Sequence, residues 1–385
     1  MQQIGLYIHY PFCKSLCPYC DFNSHISKNI DENNYISAYI KEIDYNLSII
    51  DKEKTILKTI YFGGGTPSLM TSKMVKSIID YVKQNINYDK NIEVSLEANP
   101  TSFEIGKFID FQKSGVNRIS LGCQSLNQNN LTILGRQHSA EEAISAIEMC
   151  KKYFEKFSVD FIYGVPNQTL EMWYDELHRI IQLGAKHLSL YSLTIEKGTE
   201  FFIKQQKKEM SFYDSEKIGL FYEKTNEILK KNNFIQYEIS NYATNEEHFS
   251  KHNLMYWKIK DYIGIGAGAH GRITDKDNIR WETMTYHGPS KWLESLNNSN
   301  SAMQKIERID KKSQILEILM MSLRTIYGID LIDIKNRFNI DLLNEFNVKK
   351  LEELKSNNLL DYNDSYVILT DNGRAVLNSV VGYLK

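Results

Sequence analysis

Cys13-Lys-Ser-Leu-Cys17-Pro-Tyr-Cys20-Asp-Phe22 follows directly on the strand-like run Leu6-Tyr-Ile-His-Tyr10. Three of the five cysteines of the chain therefore lie between positions 13 and 20. Thiolate is the soft ligand that iron–sulfur clusters use, and four thiolates complete a cubane. A C-x3-C-x2-C spacing leaves one iron without a protein ligand, and that open iron is a place to hold a substrate. Two other readings compete: a zinc knuckle lacking its fourth ligand, and core cysteines clustered by chance. A zinc site normally shows a second Cys/His pair at regular spacing, and chance clustering is at odds with a chain so sparing of cysteine.

Outward from this stretch, strand-like runs alternate with helical patterns through residues 1–240, which argues for parallel βα units. Strands are expected at 6–9, 57–62, 92–100, 118–124, 159–166 and 187–193. Ile36, Tyr39, Ile40, Ile43 and Leu47 recur at helical spacing within 33–50, and Met74, Ile78, Ile79 and Val82 do so after Thr71. Six strands are too few for the eight of a closed barrel. The spacing predicts an α/β fold, a partial, open (β/α)6 barrel.

Between the second strand and its helix stands Gly63-Gly-Gly-Thr-Pro67. A glycine triplet serves a tight turn, and it also lets the backbone approach a ligand closely. In barrels the loops after strands form the ligand-binding end. Polar residues punctuate the strands at Glu97, Gln124 and Asp160, and Arg136 lies in Leu134-Gly-Arg-Gln-His138. Taken singly, each reads as a cap, a surface charge or a salt-bridge partner.

From residue 236 the pattern changes. His252-Asn253-Leu-Met-Tyr256-Trp257 precedes Gly264-Ile-Gly266-Ala-Gly268-Ala-His270-Gly271. No βαβ unit surrounds these glycines, so a dinucleotide fingerprint is rejected. Close backbone approach beside a cofactor and a glycine-rich strand packed on its neighbours both remain open. The last part of the chain reads as a smaller C-terminal α+β module, winged-helix-like, with helices at 315–326, 331–338 and 348–357, a hairpin at 359–369 and a helix after Thr370. The expected division is 1–240 for the barrel, 241–300 for a connecting segment and 301–385 for the C-terminal module.

The formal net charge is −2 and no basic face stands out, which excludes a nucleic-acid partner. No apolar run approaches the roughly 18 residues of a membrane span, and Met1-Gln-Gln-Ile-Gly has no signal-peptide character. A cytoplasmic protein with reduced thiols is expected. Cys123 and Cys150 read as small buried hydrophobes.

The cysteine spacing, the aromatic Tyr19 before the third cysteine and the run Leu-Tyr-Ile-His-Tyr-Pro-Phe-Cys together resemble the radical S-adenosylmethionine (SAM) enzymes. The resemblance is to the branch that contains oxygen-independent coproporphyrinogen III dehydrogenase and the HemW-type heme chaperones. Glu-Ala-Asn-Pro, Gly-x-Gln-Ser, Leu-Gly-Arg-x-His-Ser-Ala-Glu-Glu-Ala and Asp-Phe-Ile-Tyr-Gly-Val-Pro follow the branch block by block. The resemblance implies that Cys13, Cys17 and Cys20 ligate a [4Fe–4S] cluster whose open iron is chelated by the methionyl amino and carboxylate groups of SAM. It also implies SAM contacts at Tyr7, Gly64, Gly65, Thr66, Glu97, Gln124, Arg136 and Asp160. Carboxylates and an amide suit ribose hydroxyls and the amino group, and a guanidinium suits a carboxylate.

Two functions of different class share this scaffold. One is a heme chaperone that hands heme to acceptor proteins such as respiratory hemoproteins. The other is the oxygen-independent coproporphyrinogen III oxidase (dehydrogenase) of porphyrin biosynthesis. The dehydrogenase branch has a fourth cysteine two residues beyond the third, where this chain has Phe22, so the oxidoreductase activity is doubted. The chaperones carry Phe there, and also His-Asn-x-x-Tyr-Trp, present here as His252, Asn253, Tyr256 and Trp257. An imidazole is a common axial ligand of heme iron, and Tyr and Trp offer flat apolar area to a porphyrin. An electron donor for the cluster and cluster-dependent dimerisation are family expectations. A radical SAM methylase on the same scaffold has nothing positive in its favour.

Overall fold

In the computed structural model, which describes residues 1–27 and 30–385, six parallel strands run in chain order. They are β1 (Gln2–Tyr10), β2 (Thr55–Gly64), β3 (Tyr88–Ala98), β4 (Arg118–Gln124), β5 (Lys156–Tyr163) and β6 (His187–Ser192). Each is followed by at least one helix, among them α1 (Glu32–Ile49), α2 (Ser72–Asn85), α3 (Ala140–Tyr153), α4 (Leu170–Gln182) and α5 (Ser215–Lys231). A parallel connection needs such a crossover, and the crossover helices cover one face of the strands. Side chains that starts-and-stops rules favour fix the helix ends: the Thr71 hydroxyl accepts from the Met74 N–H at 3.1 Å, and Ser139 with Glu142 closes a reciprocal capping box.

The sheet then continues on both sides. Beyond β6, two short antiparallel strands, β7 (Ile235–Glu238) and β8 (Asn241–Ala243), end one edge. On the other side, β9 (Asp261–Ile265) pairs in parallel with β1, and β10 (His270–Thr274), β11 (Arg280–Thr285) and β12 (Met303–Arg308) follow as an antiparallel meander. The full order is β12-β11-β10-β9-β1-β2-β3-β4-β5-β6-β8-β7, twelve strands with two free edges and no closed barrel. The stretch 241–300, read from the sequence as a connecting segment, thus supplies four strands of the sheet. It also supplies helices α6 (Lys251–Trp257) and α7 (Pro289–Asn298). Its glycines hide the strand character: a Cβ on Gly264 would stand 1.9 Å from the His270 carbonyl oxygen, so backbone packing between β9 and β10 demands glycine there.

The main core lies between the sheet and its helices, and the C-terminal part has an apolar cluster of its own, built around Ile318, Leu319, Leu351, Val367 and Val381. Its elements are helices Lys311–Ser322, Leu331–Phe338 and Val348–Ser356, a hairpin of Leu360–Tyr362 with Tyr366–Leu369, and the closing helix Leu377–Leu384. The first of these helices starts four residues before the expected 315, because Asp310 caps it by accepting from the Ser313 N–H at 2.7 Å.

Candidate cofactor site at the ends of the parallel strands

Because β1 to β6 are parallel, their C-terminal ends come together, and a cavity of about 440 Å3 opens there. Side-chain alternation lines it. Ser95 and Glu97 on β3, Ser120, Gly122 and Gln124 on β4, and Ser158 and Asp160 on β5 all stand at two-residue spacing on the inward face. The intervening positions, such as Val94, Leu96, Ile119, Leu121, Val159 and Phe161, are apolar and buried on the outer face. Serine and glycine on the inner face leave room that larger side chains would fill.

Of the residues singled out from the sequence, Cys13, Cys17, Cys20, Gly64, Gly65, Thr66, Glu97, Gln124, Arg136 and Asp160 line this one cavity. Gly64 has φ +109°, and a Cβ on it would press on the His9 ring at 2.6 Å, so no other residue fits. Gln124 holds φ +67°, uncommon for a side-chain-bearing residue and a form of strain that concentrates at functional sites. Glu97 accepts from the Tyr61 hydroxyl at 2.8 Å and from the Gly64 N–H at 3.2 Å. Burial pushes its carboxyl up to about 7, with the nearby Asp160 charge adding to the effect. Burial also raises Asp160, whose Oδ2 accepts from Ser120 at 2.8 Å while Oδ1 has no partner. Arg136 donates to Asn99 Oδ1, to the Gly122 carbonyl at 2.8 Å and to Cys17 Sγ at 3.5 Å, and its Nε is unsatisfied.

Buried polar atoms without partners are costly, and here Asp160 Oδ1 and Arg136 Nε belong to residues of one cavity wall. A ligand with hydroxyl, amino and carboxylate groups would satisfy them, so the donor set fits SAM. The cysteines fit a cluster. All three border the cavity; Thr66 donates to Cys13 Sγ at 3.3 Å, and burial raises the thiols of Cys13 and Cys20. Among the described residues no three Cys, His, Asp or Glu side chains crowd round a point that would hold a single ion.

Tyr7 is not part of this wall. Its hydroxyl meets His9 Nδ1 at 3.0 Å, and the residue borders two neighbouring cavities of about 520 and 320 Å3 instead. The His-Asn-x-x-Tyr-Trp residues are also divided, since a short helix points adjacent positions in different directions. Asn253 lines the first cavity, while Tyr256 and Trp257 line the third. His252 lines none of the three and is 1% exposed. Its Nδ1 is bonded to Thr59 Oγ1 at 2.7 Å and its Nε2 to the Tyr256 hydroxyl at 2.6 Å, and its ring stacks on Tyr61 at 4.8 Å. Burial lowers its pKa to about 3. In this arrangement both ring nitrogens of His252, the residue expected as an iron ligand, are engaged within the protein, one on Thr59 and one on Tyr256.

Sequence reasoning passed over Tyr61, Ser120, Ser158, His187 and Tyr191, all of which line the first cavity. The signal was present. Tyr61 shares a strand face with Gly63, Ser120 with Gly122 and Gln124, and Ser158 with Asp160.

An open, largely parallel α/β sheet that turns a C-x3-C-x2-C loop towards a cavity at its strand ends defines a class: residues 7–180 match the radical SAM superfamily, and residues 309–376 match the HemN C-terminal domain. Within that class, the chain belongs to the HemW family. It is 36% identical over 322 residues to the heme chaperone HemW of Buchnera aphidicola (subspecies Acyrthosiphon pisum), covering 83% of this chain and 82% of that one. To the heme chaperone HemW of Lactococcus lactis it is 33% identical over 377 residues, covering 97% and 95%. Among solved structures, the coproporphyrinogen III oxidase of Escherichia coli superposes with a TM-score of 0.80 over 100% of this chain and 90% of that one, at 18% identity, which is a likeness of fold. Among the described residues no helix is long and apolar enough to cross a membrane.

Proposed function

We propose that this chain is a heme chaperone that holds a [4Fe–4S] cluster on Cys13, Cys17 and Cys20, binds SAM in the first cavity, and passes heme to acceptor proteins such as respiratory hemoproteins. The observation that carries the cofactor half is the convergence of the three cysteines with Gly64, Gly65, Thr66, Glu97, Gln124, Arg136 and Asp160 on one wall, from positions more than a hundred residues apart. The bound cluster would supply an electron to SAM. Glu97 and Asp160 are suited to an ammonium and ribose hydroxyls, Arg136 to a carboxylate, and the Gly64-Gly65-Thr66 backbone to close approach. Heme is supported by the two further cavities beside this site and by the names of the HemW relatives. Five free cysteines suit a reducing, cytoplasmic setting.

Carrier rather than oxidase is favoured by Phe22, which is 65% exposed and borders the first two cavities where a fourth cysteine would otherwise stand. The test is anaerobic reconstitution followed by parallel assays of heme binding and coproporphyrinogen III consumption. Saturable heme binding without protoporphyrinogen formation is expected. Sustained protoporphyrinogen formation with SAM under reducing conditions overturns the chaperone reading.

A further inference from the structure

Helix α6 ends in a turn under backbone strain. The Ile259 N–H donates to the Tyr256 carbonyl at 3.0 Å and the Lys260 N–H to the Met255 carbonyl at 2.8 Å. This is the pattern of a helix stop whose central residue is left-handed, a place usually taken by glycine or asparagine. Here it is isoleucine, at φ +53°. Among the described residues five asparagines take a positive φ, and Ile259 is the one β-branched residue that does. A β-branched residue in that conformation is an outlier that persists only where its surroundings hold it.

The C-terminal module supplies that hold. Ile259 is 2% exposed and belongs to the module's own apolar cluster, with Ile318, Leu319 and Ile334. Arg337, on the helix Leu331–Phe338, donates from Nη1 to the Lys258 carbonyl at 3.3 Å and from Nη2 to the Ile259 carbonyl. Lys260 Nζ reaches Asp333 of the same helix at 3.0 Å, and Asp333 Oδ2 also accepts from Arg337 at 3.1 Å. At its other end α6 rests on Glu93 of β3, which accepts from the N–H groups of Lys251 and His252 at 3.2 and 3.1 Å, and it presents Asn253 to the first cavity. Seven residues long, α6 is a short bridge between the cofactor cavity and the module. Resting on the chaperone reading above, we propose that Arg337 is a positioning residue of the heme motif. By gripping the two carbonyls behind α6 it keeps the Ile259 turn closed, and so fixes the placement of Tyr256 and Trp257 on which heme loading depends.

The experiment runs amide hydrogen exchange and ferric-heme titration on the heme-free full-length protein. The unchanged chain is compared with Arg337→Ala, Arg337→Lys and, as a control on the same helix, Lys335→Ala. Arg337→Ala is expected to speed exchange at the Ile259 and Lys260 amides by about tenfold or more and to weaken heme binding by a similar factor, because charge-assisted bonds to two carbonyls are lost. Protection over Leu331–Phe338 should stay that of the parent. Arg337→Lys should fall between the two, since one ammonium cannot match a fork of two nitrogens. Lys335→Ala, which loses a surface pair with Asp341, should match the unchanged chain. Unchanged protection at Ile259 and Lys260 in Arg337→Ala overturns the proposal, as does faster exchange spread evenly over Leu331–Phe338, the mark of a merely structural role. Faster exchange confined to those two amides with parent heme affinity overturns it as well. If the unchanged chain binds no heme saturably, the chaperone reading itself falls, and exchange alone decides whether Arg337 holds the turn.

Discussion

The Gly64 N–H donates to Glu97 Oε2 at 3.2 Å, which ties the glycine turn after β2 to the carboxylate at the end of β3. With the Tyr61 hydroxyl on Oε1 at 2.8 Å, the carboxyl group is held in one orientation towards the cavity. Substrate-positioning groups work best when their own geometry is already fixed, and Glu97 meets that condition before any ligand arrives.

The first prediction concerns SAM affinity. Loss of one charge-assisted hydrogen bond costs roughly 1.5–3 kcal/mol, so Glu97→Gln should bind SAM about tenfold or more weakly. The carboxyl is raised to about 7 by burial and by Asp160, and only its ionised form attracts an ammonium. Affinity should therefore climb as pH rises through about 7 and fall below it, and the pH dependence should flatten in Glu97→Gln. Equilibrium binding to the cluster-loaded protein across that range is the measurement; parallel profiles for the two proteins would show that Glu97 does not meet the amino group.

Cluster assembly should depend on three thiols only. Cys13, Cys17 or Cys20 changed to Ala should each abolish the iron and sulfide content gained on anaerobic reconstitution, because three thiolates are already the minimum for this site. Cys123 and Cys150 are fully buried in the main core and face no cavity wall, so alanine there should leave the cluster in place. Full iron and sulfide in any of the first three variants would defeat the ligand set, as would zinc as the sole bound metal.

A stability prediction follows from Glu42 on α1. Its buried Oε2 accepts from the Gly266 N–H at 2.7 Å and from Trp292 Nε1 at 2.9 Å, while Oε1 has no partner. Burial raises its carboxyl from 4.5 to about 8. The folded state thus favours the protonated form. The associated stability is fully present below the unfolded value and is lost as pH rises towards about 8, at up to about 1.4 kcal/mol per pH unit. Glu42→Gln keeps an acceptor oxygen without titrating, so its denaturation midpoint should vary less than the parent's between about pH 5.5 and 8.5. Equal slopes for both proteins would reject this.

Much of the fold was legible because apolar outward positions recur every second residue along the parallel strands, and the expected strand at 118–124 coincides with β4. Strand β9 was legible only as one of two readings of the glycine-rich stretch. Gly264 and its glycine neighbours erase the apolar signal, and the partner strand β1 lies at the other end of the sequence. At the candidate site, the glycine turn and the cysteine loop stand out in any reading, whereas Ser120, Ser158 and Tyr61 show only once strand faces are counted out. The division of His252, Asn253, Tyr256 and Trp257 among different surroundings depends on how α6 docks against β2, which no local pattern encodes.

That docking holds His252 by contacts within the protein, and this leads to the last prediction. Its ring lies against Tyr61 at 4.8 Å and near Tyr7 at 6.4 Å, with Thr59 and Tyr256 on its two nitrogens. Removing it leaves the buried Thr59 hydroxyl and the half-buried Tyr256 hydroxyl short of a partner and empties a flat slot in an aromatic layer. Each unsatisfied group costs about 1–3 kcal/mol, and with partial relaxation His252→Ala should lose about 2–4 kcal/mol of stability. Chemical denaturation of the full chain measures this. At a temperature where the variant is still folded, it should retain the parent heme spectrum and the cluster, because Tyr256 and Trp257 remain to line their cavity. A variant as stable as the parent but unable to bind heme would reverse the assignment: His252 would then have to leave Thr59 and Tyr256 for the iron, and the arrangement of α6 described above would be that of a heme-free state alone.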